Sequence, residues 1–311
     1  MKKMKWIMVA VASMAFLLAG CAGANESDAQ AGNTAGDVVA EDSVEVNVDF
    51  AGDITVVSRE DGSGTRGAFI ELFGIEQKDE NGEKVSLAKL LADIDALDFK
   101  FRLRFMTSHP KDLSDELIQV MKHSKKICRH LHLPLQSGST RILQAMNRRY
   151  TKEQYLELAE RIRREIPDIA ITTDIIVGFP GETTEDVEET IDVIRKVKYD
   201  NAFTFIYSKR TGTPAAAMEN QVPEAEVKVG FDKVLKCVQE TAKEQVSRYQ
   251  GQVMEALVEE RNENDEKLLT GRLSNNTLVH FPGDVSLVGK IVKVSLDECH
   301  GFYYMGHQVE V

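Results

Sequence analysis

A run of β-branched residues that includes Ile169, Ile171, Ile175, Ile176 and Val177 breaks off at Gly178-Phe179-Pro180-Gly181-Glu182. Such a run suits a parallel strand covered on both faces, and the glycines and proline stop it in a tight turn. Thr183 then stands where a helix N-cap belongs, and Asp186 is spaced to answer it. Strand-loop-helix corners of this kind are where α/β proteins hold ligands. A second corner, Arg59-Glu60-Asp61-Gly62-Ser63-Gly64-Thr65-Arg66, lies between a short strand at 54–58 and a helix from about Gly67 to Phe73. Backbone N–H groups at its glycines can converge on an oxyanion, with Arg59, Ser63 and Thr65 as further donors, although a plain glycine-rich turn reads the same residues equally well. It lacks the lysine of a Walker loop, which argues against a nucleotide. His130 and His132 share one face of a strand and could ligate a metal with His109, or serve as hydrogen-bonded core histidines. The four cysteines, at 21, 128, 237 and 299, form no Cys-x-x-Cys or Cys-x-x-x-Cys clip, and Cys128 and Cys237 read as buried free thiols.

The elements that must position these groups alternate. Leu87, Leu90, Leu91, Ile94 and Leu97 recur at helical spacing, followed by a strand at 101–106 and a helix at 114–123. A strand at 130–135, a helix from Thr140, an amphipathic helix at 151–165, the Ile169 strand, a helix at 184–197 and a strand at 201–208 complete the series. Four such alternations predict a parallel sheet with right-handed crossovers. A long helix at 223–250 leads into five short β-rich segments, near 254–260, 268–273, 277–281, 291–296 and 302–305, which predict a small barrel.

A chain of 311 residues with net charge −12 has room for two or three domains and no uniformly basic surface. The charge is uneven: residues 100–164 hold 15 Lys and Arg against 6 Asp and Glu, which suits either a solvated helical face or a groove for a polyanion. At the other extreme, Lys2, Lys3 and Lys5 precede an apolar run from Trp6 to Leu18, the pattern of a secretory signal, and residues 22–45 show no period and read as a flexible tether.

Leu18-Ala19-Gly20-Cys21 resembles the lipobox of bacterial lipoproteins, which implies acylation of Cys21 and attachment to a membrane. Residues 57–76 resemble the phosphate-binding lipoproteins of bacterial uptake systems, whose matching residues (Arg59, Asp61, Ser63, Gly64 and Thr65) contact inorganic phosphate. That likeness stops near 83–85, so one lobe of a two-lobed site is represented at most. From Phe101 onward the resemblance is to the radical S-adenosylmethionine (SAM) methylthiotransferases that act on tRNA, ending in their RNA-binding TRAM barrel. It rests on Arg104-Phe105-Met106-Thr107-Ser108-His109-Pro110, His132-Leu133-Pro134-Leu135-Gln136-Ser137-Gly138-Ser139, Met146-Asn147-Arg148-Arg149-Tyr150-Thr151, Thr173-Asp174-Ile175-Ile176-Val177-Gly178-Phe179-Pro180-Gly181-Glu182 and Phe205-Ile206-Tyr207-Ser208-Lys209-Arg210-Thr211-Gly212-Thr213-Pro214.

The resemblance implies an α/β fold: a partial radical SAM (β/α) barrel of about four of six strands, then a small all-β TRAM barrel. It also implies a transferase reaction, methylthiolation of an isopentenyladenosine beside the tRNA anticodon with SAM and two 4Fe–4S clusters. By the same resemblance Gln136, Ser137, Ser139, Ile176, Gly178 and Glu182 line the SAM pocket, while Arg148, Arg149, Lys209 and Arg210 are the candidates for tRNA phosphate contacts. The family holds its SAM-cleaving cluster on a Cys-x-x-x-Cys-x-x-Cys loop, and these 311 residues contain none. The expected organisation is therefore a lipoprotein signal at 1–21, a tether at 22–51, a fragment of a periplasmic-binding-protein lobe at 52–85, a partial barrel at 86–222, a linking helix at 223–250 and a TRAM-like barrel at 251–311. The expected function is that of a methylthiotransferase by descent, inactive as it stands for want of cluster ligands, with a phosphate-binding lipoprotein fragment or an accidental fusion retaining at most tRNA binding as the alternatives. The signal points to a membrane-anchored lipoprotein and the methylthiotransferase family to the cytoplasm, and the two conflict.

Overall fold

The computed structural model describes residues 86–98, 100–106, 110 and 113–309. The proposed lipidation site Cys21, the phosphate-contacting set Arg59, Asp61, Ser63, Gly64 and Thr65, and His109 all lie outside the described residues. Among the described residues no helix is long and apolar enough to cross a membrane.

Helices start where short polar side chains can satisfy the free N–H groups of a first turn. Ser86 accepts from Lys89 N–H to open α1 (Leu87–Asp95), and Ser114 accepts from Leu117 N–H to open α2 (Asp115–His123). Thr151 with Gln154, and Thr183 with Asp186, form reciprocal capping boxes at the starts of α4 (Lys152–Glu165) and α5 (Thr184–Val197). Between these lie β1 (His130–His132), the short α3 (Thr140–Ala145), β2 (Ala170–Val177) and β3 (Asn201–Ile206), followed by α6 (Pro214–Ala217) and the 24-residue α7 (Glu224–Ser247).

The three strands form one parallel sheet in the order β1-β2-β3. This is one strand fewer than the sequence predicts. The segment expected as a strand at 101–106 contributes only an isolated bridge, Leu103 opposite Ile127, because the chain it faces is bent: Ser124 Oγ accepts from both Lys126 N–H and Ile127 N–H. The strand expected at 130–135 stops at His132. Pro134 has no N–H to offer, Leu135 N–H donates to Thr173 Oγ1, and the Leu133 and Leu135 carbonyls accept from the hydroxyls of Tyr155 and Tyr150. Helices cover one face of the sheet in a core that includes Leu131, Ile171, Ile175, Ile194 and Val234.

The second core belongs to a closed barrel of β4 (Val253–Arg261), β5 (Leu268–Leu273), β6 (Leu278–Pro282), β7 (Ile291–Cys299) and β8 (Tyr303–Gln308), in the order β4-β5-β6-β8-β7. Within it, β6 and β8 pair in parallel and the other neighbours antiparallel. Ala256, Val258, Leu269, Val279, Phe281, Val294, Leu296 and Tyr304 fill its interior, and the Tyr304 hydroxyl donates to the Val246 carbonyl near the end of α7. Two arginines of the 101–106 segment fasten the barrel to the α/β part. Arg102 donates to the Arg272 and Glu255 carbonyls at 2.6 and 2.9 Å, and Arg104 to the Leu273 carbonyl and Asn276 Oδ1 at 2.7 and 3.1 Å.

Candidate functional site

The corner after β2 is built by its glycines. Gly178 and Gly181 both sit at positive φ, 83° and 80°, and a Cβ on Gly178 would come within 2.7 Å of the Val227 side chain on α7. Gly178 N–H donates to Glu182 Oε2 at 2.5 Å, Glu182 N–H to the Phe179 carbonyl at 2.9 Å, and Gly181 N–H to the Asn220 carbonyl at 2.7 Å. Burial pushes the Glu182 carboxyl up to about 7, aided by neighbouring Asp186 and opposed by the Gly178 N–H and Arg141. Burial also pushes Asp186 upward, but hydrogen bonds from Ser139, Thr183 and Arg141 outweigh it and hold that carboxyl below its ordinary range.

The residues proposed for the SAM pocket divide into two groups. Gln136, held at φ 69°, joins β2 directly: its N–H donates to the Asp174 carbonyl at 2.8 Å and its carbonyl accepts from Ile176 N–H at 2.9 Å. That places Gln136, Ile176, Gly178 and Glu182 along one strand end. Ser137 and Ser139 face elsewhere. Both are buried, Ser139 Oγ donates to Asp186 Oδ1 at 2.6 Å, Ser137 Oγ accepts from Ser139 N–H, and Gly138 N–H donates to Thr190 Oγ1. The Ser139 hydroxyl and the Gly138 N–H tie the loop to α5, while the Ser137 hydroxyl bonds within the loop itself. Beside the corner, the ring of Tyr207 meets Phe179 edge-on at 5.4 Å, and Tyr207 Oη is buried with no hydrogen-bond partner among the described residues. An orphaned hydroxyl beside this glycine-built turn fits a polar ligand at this strand end.

Arg149, Lys209 and Arg210 are exposed and Arg148 is half-buried; none of the four forms an ion pair among the described residues. Lys209 lines an open depression of about 700 Å³ with Thr211, Gly212, Thr213 and Pro214. The two basic pairs occupy separate loops, after α3 and after β3.

His130 and His132 are engaged with Thr172 Oγ1, at 2.9 and 3.0 Å, and no three His, Cys, Asp or Glu side chains converge as a cation site among the described residues. Cys128 and Cys237 are free and buried, and Cys299 is free and half-buried. The described thiols therefore do not fit an iron–sulfur cluster, which needs several converging thiolates. Two features went unnoticed in the sequence. Asp200, buried, accepts from Ile171 N–H, Arg248 and Arg163, joining β2, α4 and the end of α7. Phe203, Phe205 and Ile206 stand half exposed on the edge strand β3, which the period-2 pattern of 201–206 could have signalled.

Residues 72–194 match the model of the radical SAM superfamily, and residues 247–309 match that of the TRAM domain. Over those two stretches the chain is similar to radical SAM proteins and to TRAM domains. It is 58% identical to the tRNA-2-methylthio-N(6)-dimethylallyladenosine synthase of Lachnoclostridium phytofermentans over 228 residues, 73% of this chain and 50% of that protein. It is 52% identical to the enzyme of the same name from Acetivibrio thermocellus, over 70% of this chain and 45% of the relative. The chain thus spans about half the length of the curated relatives it matches. Among solved structures, the coproporphyrinogen III oxidase of Escherichia coli, a radical SAM enzyme, aligns over 60% of this chain and 50% of its own with a TM-score of 0.41 and 14% identity.

Proposed function

We propose that the radical SAM and TRAM domains here are, by descent, the C-terminal part of a tRNA methylthiotransferase, that the chain binds tRNA, and that it does not by itself carry out methylthiolation. The observation that carries this reading is the 58% identity over 228 residues to a tRNA-2-methylthio-N(6)-dimethylallyladenosine synthase. Gln136, Ile176, Gly178 and Glu182 would hold SAM at the end of β2, with Tyr207 Oη available to it; SAM supplies a methyl group and an adenosyl fragment. Gly178 and Gly181 keep the backbone free of side chains there, and Glu182 presents a carboxyl poised near neutrality. The sequence offers no set of three thiolates for a cluster, so no radical step follows for this chain. Arg148, Arg149, Lys209 and Arg210 would contact phosphates, and the TRAM barrel, with 5 Lys and Arg against 10 Asp and Glu from residue 250 on, would add little to that electrostatic term.

Two measurements test this. Binding of tRNA by the full chain is expected to weaken linearly in log affinity against log salt, and absence of binding in a folded sample would overturn the reading. Iron and sulfide analysis after anaerobic reconstitution is expected to find no stoichiometric cluster; finding one would overturn the proposed inactivity. As a separate proposal resting on sequence motifs alone, a lipid on Cys21 would be detected by fatty-acid labelling, and phosphate binding through Arg59, Asp61, Ser63, Gly64 and Thr65 by phosphate titration.

A further inference from the structure

Arg141, on α3, reaches the β2 corner from a separate element. One guanidinium nitrogen, Nη2, donates to two acceptors: the Gly181 carbonyl in the turn, at 2.9 Å, and the Asp186 carboxylate in the first turn of α5. The two N–H groups on that nitrogen lie in one rigid plane, so both acceptors are served only while they keep one spacing. Asp186 is fixed independently, since its Oδ1 accepts from Ser139 Oγ at 2.6 Å and its Oδ2 from Thr183 N–H at 2.7 Å. The turn is fixed less firmly. Gly181 sits at φ 80° with no Cβ to limit rotation of the peptide that follows it. That peptide is held at both ends by hydrogen bonds, its carbonyl on Arg141 and its N–H, that of Glu182, on the Phe179 carbonyl at 2.9 Å.

A plain surface ion pair would explain the Asp186 contact but not the second one. Arg141 is more than half exposed, and an exposed arginine paired only with Asp186 would leave its other N–H to water. Arg141 also acts on Glu182 through space. Burial raises the Glu182 carboxyl, the Gly178 N–H lowers it, Asp186 on α5 raises it and Arg141 on α3 lowers it, while α7 presents the apolar Val227 to Gly178. We propose that Arg141 is a positioning residue for the β2 corner: it pins the Gly181–Glu182 peptide to α5 and so sets where Gly178 and Glu182 meet SAM. The proposal rests on the reading of this corner as a SAM site and adds to it a residue that does not touch the ligand.

The test compares the folded full chain with Arg141→Ala and Arg141→Lys, following the Glu182 carboxyl by carbon-13 NMR against pH and SAM affinity by calorimetry. Arg141→Ala is expected to move the Glu182 midpoint upward from about 7 and to weaken SAM binding about tenfold, the loss of one charge-assisted hydrogen bond. Arg141→Lys keeps the charge without the planar fork, so the Glu182 midpoint is expected to return close to wild type while affinity recovers only in part. A merely structural arginine would change thermal stability and leave both readouts where they were, and that outcome overturns the proposal. If Arg141→Ala misfolds, the lysine variant decides: affinity equal to wild type overturns the pin. SAM binding by wild type with an unchanged Arg141→Ala leaves the SAM reading standing without the pin. An upward shift of Glu182 in a chain that binds no SAM keeps the pin and overturns the SAM reading.

Discussion

Glu182 combines a 2.5 Å hydrogen bond from Gly178 N–H with burial that raises its carboxyl to about 7, and so ties the turn to pH. Its folded value lies above its ordinary 4.5, so its contribution to stability is full below about 4.5 and is lost as pH rises through about 7. Thermal midpoints of wild type and Glu182→Gln across pH 4.5 to about 8.5 are expected to diverge in that window, wild type losing on the order of 3 kcal/mol that the variant keeps. Parallel pH profiles would refute the burial argument. On the surface, replacing Arg148, Arg149, Lys209 and Arg210 together by alanine is expected to weaken tRNA binding at low salt and to flatten its salt slope by about 0.7 to 0.9 for each phosphate no longer neutralised. A slope equal to that of wild type would place the phosphate contacts elsewhere. The Thr183–Asp186 cap was legible from spacing because both partners sit on the same few residues of chain. Where Ser139 points was not, since its hydroxyl meets Asp186 on α5, some fifty residues further on.

Among the elements, the loop from Gln136 to Ser139 and helix α5 fit without room for a methyl group. A Cβ on Gly138 would come within 2.7 Å of the Glu189 carbonyl and closer still to Thr190 Cα, both backbone atoms that cannot rotate away. Gly138→Ala is expected to destabilise by about 1–3 kcal/mol, measured by denaturant unfolding, because the loop must lift from the helix. Asp200 plays a comparable part at the other end of the sheet, where it gathers α4, β2 and α7; Asp200→Asn leaves Arg163 and Arg248 facing each other and is expected to cost about 3 kcal/mol in the same assay. Strand and helix periodicity announced most of these elements. It overstated the strands at 101–106 and 130–135, since an alternating pattern records which side chains are apolar and not whether a neighbouring backbone is straight enough to pair. The five-stranded barrel was better announced, because each turn carries glycine, asparagine or aspartate and each strand closes on a neighbour.

Across the molecule, the α/β part and the barrel share backbone acceptors. Arg102 and Arg104 spend their donors on carbonyls of Glu255, Arg272 and Leu273, some 150 to 170 residues away in sequence. Alanine at both positions is expected to free the barrel, seen as faster proteolytic cleavage near residues 250–252 with the far-ultraviolet spectrum unchanged; cleavage at the wild-type rate would show that α7 alone holds the two together. No sequence pattern flagged this junction, because arginines at alternate strand positions look the same whether they meet water or a neighbouring backbone. The strand order of the barrel carries a further implication, for synthesis on the ribosome. Because β8 lies between β6 and β7, the outer edge of β6 has no partner while β7 is being made, and the barrel closes only once the segment after it has emerged. During translation the nascent chain therefore presents an open, apolar half-barrel, and a pause in elongation between the codons for Ile291 and Tyr303 would lengthen its exposure to chaperones and proteases.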